Sequence, residues 1–101
     1  MNELLDWLRL QNGGVRTFAE FRHKALALRA VDPEHAALAR LLGDLSGRFA
    51  DTYEDQPLSI DVADHAFARL TALVQEAAEL GAAEPAEQLR LLNEIGRSEL
   101  T

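Results

Sequence analysis

The chain of 101 residues has no cysteine, so the groups able to move protons or hold a metal near neutral pH are three histidines and their neighbouring carboxylates. Glu20 and His23 stand three apart, which on a helix puts both side chains on one side, the spacing used by di-iron sites in helical bundles. Asp32 and His35 repeat that spacing. A di-metal site needs two such pairs and two further inward carboxylates, whereas Asp32 precedes Pro33 as a helix cap does and His23 faces away from Phe18 and Phe21. Asp61, His65 and Arg69 succeed one another at one-turn intervals, on the side of their helix opposite its apolar stripe, where a solvated helix start accounts for them. No catalytic residue, cofactor or metal ligand is assigned on this basis. A metal or small-ligand site built from histidines and carboxylates is kept as the alternative reading.

Other chemistries lack their parts. No serine or threonine sits in a nucleophile elbow, and the glycines neither form a phosphate-cradling loop nor follow a strand. A phosphorylatable histidine on a helical bundle needs a lysine and small residues along the same face. His23, His35 and His65 are followed instead by Lys24-Ala25-Leu26, Ala36-Ala37-Leu38 and Ala66-Phe67-Ala68, none of which supplies that set.

The elements that position these residues are all helical. Ala and Leu contribute 17 and 18 residues, aromatics only 6%, and no alternating apolar run is flanked by hairpin residues. Prolines 33, 57 and 85 and glycines 13, 14, 81 and 96 punctuate the chain. The apolar periods between them predict helices over 3–11, 18–30, 33–53, 61–80 and 85–96. Thr17 and Glu20 fit a capping box for the second helix, Asp32-Pro33 opens the third, Ser59 or Asp61 caps the fourth, Gly81 closes it, and Pro85 opens the fifth. The fifth turns Leu89, Leu92 and Ile95 inward ahead of a short polar tail. Short connections favour antiparallel neighbours, so the expected fold is all-α: one small antiparallel bundle of four main helices plus a short N-terminal helix.

The third helix carries two stripes. Leu38, Leu41, Leu42, Leu45 and Phe49 form a core stripe; Ala36, Ala39, Gly43, Ser46, Gly47 and Ala50 form a stripe of small residues. Glycine inside a helix costs about 1 kcal/mol relative to alanine. Two of them imply a helix packed unusually close, from this chain or from a second copy, unless Gly43 or Gly47 breaks the helix in two.

Charge bounds the partners. The net charge of −7 divides unevenly: residues 1–50 carry six acids and seven bases, residues 51–101 eleven acids and three bases. So acidic a chain repels nucleic-acid phosphates, and DNA or RNA is not an expected partner. The segment 51–64 holds five carboxylates and no Lys or Arg. It either meets a basic protein surface or serves solubility. Arg22 and Arg29 flank the apolar stripe of the second helix, so their heads reach carboxylates of the acidic half or those of another molecule. The opening residues lack a cationic, uninterrupted apolar leader, and no uncharged stretch spans a bilayer, so a cytoplasmic protein with no membrane partner is expected. Nine Arg against one Lys in an Ala-rich chain point to a GC-rich bacterial genome.

These readings converge on a non-enzymatic protein–protein interaction module, of the adaptor, chaperone, inhibitor or immunity kind, expected to be a homodimer. Its interface candidates are Trp7, Arg22, Arg29, Gly43, Tyr53, Glu54 and Asp55.

Overall fold

The turn Asn12-Gly13-Gly14 sets the first reversal of the chain. Gly13 adopts φ +78, a left-handed conformation that disfavours side chains, and a Cβ there would lie 3.2 Å from the Phe67 ring. Asn12 Oδ1 accepts the Gly14 N–H at 3.3 Å and the Thr17 hydroxyl at 3.5 Å. A computed structural model describes residues 1–80 and 84–100, which form α1 (Asn2–Arg9), α2 (Val15–Val31), a single 3-10 turn (Pro33–His35), α3 (Ala36–Thr52), α4 (Ile60–Leu80) and α5 (Pro85–Gly96), with no strand among them. The fold is thus a small all-α bundle, as the sequence predicts.

Two helix starts differ from expectation for local reasons. The Asn12 turn opens α2 at Val15, three residues early, so Thr17 lies inside the helix and the capping box does not form. Glu20 pairs with Arg16 at 3.5 Å instead. The Asp32 carboxylate likewise caps nothing; its Oδ2 lies 2.7 Å from His35 Nδ1, and the residues after Pro33 make one 3-10 turn before α3 proper begins at Ala36. Ser59 does cap α4, its hydroxyl accepting the Val62 N–H at 3.2 Å. Gly81 lies outside the described residues.

The α2 and α3 pair is the most extensive helix contact of the molecule. It is antiparallel, since Ala25 meets Gly43 while Phe18 meets Ser46 and Phe49. α3 runs unbroken through both glycines. A Cβ on Gly43 would sit 3.3 Å from the Ala25 Cβ and 3.6 Å from the Arg22 carbonyl, and Ser46 Oγ donates to the Phe18 carbonyl at 2.7 Å. The small stripe therefore serves a close approach within the chain. Phe18, Phe49 and Tyr53 continue the contact as a ladder with centroid spacings of 4.5 and 5.0 Å.

α3 also touches α4 and α5, while α1 lies mainly on α4. Leu4, Leu5 and Leu8 of α1, Phe18, Phe21 and Ala25 of α2, Leu38, Leu42 and Leu45 of α3, and Ala66, Leu70, Val74 and Ala77 of α4 meet in one core. Each fully buried Leu or Phe contributes about 1.5–3 kcal/mol to this core.

α5 turns in Leu91 and Ile95, with Leu92 at the edge; Leu89, expected inside, is 57% exposed. Residues 97–100, after α5, are not a free polar tail. Leu100 is buried, Arg48 donates to the Ser98 carbonyl at 3.3 Å and pairs with Glu99 at 3.2 Å, and Arg69 donates to the Ser98 hydroxyl at 3.4 Å. No helix among the described residues is long and apolar enough to cross a membrane.

Candidate functional site

α1 spends its apolar residues on two neighbours. Leu4, Leu5 and Leu8 enter the core, and Trp7, one position round the helix, is left at the edge where α1 meets α2. α2 buries Phe18, Phe21 and Ala25, leaving Lys24, Ala27, Leu28 and Val31 as a second row at helical spacing beside Trp7. Together with Glu3 and Leu4 these residues line a shallow furrow of about 330 Å³. The Lys24 ammonium stands 5.1 Å from the centroid of the Trp7 ring, a cation–π contact that orders both side chains. Val31 at the furrow's end is 78% exposed.

The furrow continues along the same helix pair. Toward the Asn12 turn, a second depression of about 410 Å³ is lined by Leu10, Gln11, Arg16, Thr17 and Glu20, and Leu10 is 84% exposed. Exposed aliphatic side chains thus mark both ends of one seam, with Trp7 between them. Its two flanks differ in charge. Glu3 and Asp6 of α1 make no ion pair or hydrogen bond among the described residues, and Lys24 of α2 has no carboxylate partner there.

Of the residues singled out from the sequence, Trp7 belongs to this seam. Arg22 lies elsewhere: its stem covers Gly47 and its guanidinium is 3.8 Å from Asp51, so the first carboxylate of the acidic segment receives it within the chain. Arg29 Nε donates to the Leu26 carbonyl of its own helix at 3.3 Å. Gly43, expected among surface contacts, is buried between α2 and α3, because its missing side chain is what lets those helices approach. Tyr53 is half-buried on Phe49, while Glu54 and Asp55 are exposed in the turn after α3. The chain does not bring these residues to one face. Leu28, which shares the apolar period of Phe18, Phe21 and Ala25, packs against the core and forms the furrow's wall; what the sequence reading misses is Ala27 and Val31 beside it. Their signal is a second apolar spacing next to the main stripe of the same helix.

The histidines do not converge. His23 and His65 are exposed on α2 and α4, and neither Glu20 nor Asp61 is hydrogen-bonded to them. Arg69 turns instead to Ser98. Asp32 and His35 do meet, fixing Nδ1 of the ring. Among the described residues no group of three His, Cys, Asp or Glu is placed to hold a metal ion. Where α4 meets α5, Arg90 bridges Glu76 at 2.9 Å and Glu94 at 3.3 Å; the Glu76 hydrogen bond and charge raise its guanidinium above the ordinary value. That cluster joins two helices, with Arg90 exposed and Glu76 and Glu94 half-buried. Comparison with family models, curated proteins and solved structures finds no match to this chain.

Proposed function

We propose that this protein is a non-enzymatic protein–protein interaction module, an adaptor, chaperone, inhibitor or immunity-type bacterial protein that binds through its helical faces and its acidic second half. The observation that carries this reading is the α1–α2 seam, where an aromatic ring, two exposed aliphatic residues and the carboxylates of Glu3 and Asp6, unpaired among the described residues, share one face. Interface cores favour that composition, an aromatic anchor with apolar neighbours inside a charged rim. The five carboxylates of 51–64, Asp51, Glu54, Asp55, Asp61 and Asp64, are all exposed and add a field that draws basic protein surfaces and repels nucleic acid.

The test is native mass spectrometry of the protein isolated from its source cells, comparing the parent with Val31→Asp and with Leu89→Ser, a change at an exposed leucine away from the seam. The reading expects an associated protein, identical or different, that is lost in Val31→Asp and kept in Leu89→Ser. A bare monomer in the parent, or association indifferent to Val31→Asp, overturns it.

A further inference from the structure

We infer that the seam between α1 and α2 is covered by a second copy of this chain, packed about a two-fold axis that runs parallel to the two helices. The inference rests on the interaction-module reading and names the partner for its principal face. Its ground is the division of charge across the seam. The α1 flank carries Glu3 and Asp6, both exposed; on the α2 flank Arg16 and Glu20 neutralise each other at 3.5 Å, leaving Lys24, which has no carboxylate partner among the described residues and lies over the Trp7 ring. A face with an acidic flank and a basic flank on either side of an apolar line is complementary to itself in one orientation. Rotation by a half turn about an axis along the seam sets the α1 flank of one copy against the α2 flank of the other, so that Lys24 meets Glu3 and Asp6 of the second copy. An axis across the seam would set acid against acid. The chosen axis also brings each apolar residue level with its equivalent, Val31 with Val31, Trp7 with Trp7 and Leu10 with Leu10, so the exposed aliphatic ends shield one another.

The size of the face sets the strength. α2 has 17 residues and α1 has 8, which at 1.5 Å per residue and about 10 Å of width give a projected area on the order of 400 Å². Stable complexes bury about 800 Å² per partner, so a weak, reversible dimer is expected.

The experiment is sedimentation equilibrium of the parent, of Lys24→Glu, of the double variant Glu3→Lys/Asp6→Lys, and of the two variants mixed. All three positions are exposed, and far-UV circular dichroism confirms that the variants fold. The parent should dimerise reversibly, each charge variant should weaken its own dimer at least about tenfold, and the mixture should recover parental affinity as a heterodimer. Parental dimers unmoved by Lys24→Glu, or a mixture that fails to recover, overturn the inference. A monomeric parent that binds a different protein through Val31 overturns the second copy as occupant while the interaction reading stands; a monomer that binds nothing removes both.

Discussion

Replacing Gly43 by leucine tests whether the α2–α3 approach is the reason for a glycine inside α3. At this position a Cβ alone would meet the Ala25 Cβ at 3.3 Å, the Arg22 carbonyl oxygen at 3.6 Å and Leu26 Cδ2 at 3.7 Å. An isobutyl group has no room beyond that Cβ, and two of these neighbours belong to backbone or to a side chain without rotamers, so the helices must part. Overpacking of this kind costs about 1–3 kcal/mol, and backbone against backbone takes the upper end. Leucine returns about 0.8 kcal/mol of helix propensity. The net loss is about 2 kcal/mol, which lowers the melting temperature by about 8–16 °C in a domain of this size. Two controls isolate the cause. Gly43→Ala should stay within about 1 kcal/mol of the parent, since the propensity gain offsets a squeeze of a few tenths of an ångström. Gly47→Ala should be neutral or stabilising by up to about 1 kcal/mol, because its obstacle is the far end of the Arg22 side chain, 2.6 Å away but free to swing. Thermal unfolding followed by far-UV circular dichroism reads all three. If Gly43→Leu melts with the parent, the close approach does not explain the glycine.

Other substitutions check separate parts of the structure by the same measurement. Ser46→Ala removes the buried donor to the Phe18 carbonyl and should cost about 1 kcal/mol; an unchanged stability would mean that bond contributes nothing net. Gly13→Ala forces a side chain into a left-handed backbone and against the Phe67 ring, for a loss of about 1–2 kcal/mol, and a stabilised variant would contradict that turn. Leu91→Ala should cost about 2–5 kcal/mol while Leu89→Ser stays near neutral, and the reverse order would restore the sequence-based register of α5.

The helices were legible because their punctuation is chemical. Pro33 and Pro85 cannot sit deep in a helix, Ser59 is a strong cap, and the Leu and Phe stripes of α3 and α4 repeat at the helical period. Starts were misjudged where two side chains competed for the same role. Asn12 reaches the free N–H of Gly14 before Thr17 can act as a cap, and Asp32 finds the His35 ring instead of a backbone amide. In α5 three leucines crowd positions 89, 91 and 92, so the period permits more than one inward arc, and only packing against α3 and α4 selects Leu91. The anchoring of Ser98 depends on Arg48 and Arg69 and that of Leu100 on the apolar core, all far away in sequence, and no local pattern announces either. The seam was half legible: Trp7 stood out by type, whereas Leu10 and Val31 became notable only once their exposure was visible.

Trp7 is the only tryptophan of the chain and lies on the seam, so its fluorescence reports directly on whether that face is covered. The decisive measurement is its emission maximum and its quenching by acrylamide as the parent protein is diluted from high micromolar to nanomolar concentration. The account predicts a ring shielded at high concentration that shifts to the red and becomes more quenchable on dilution, with Val31→Asp red-shifted throughout. Emission and quenching that stay constant across the series, and that Val31→Asp leaves unchanged, would contradict it.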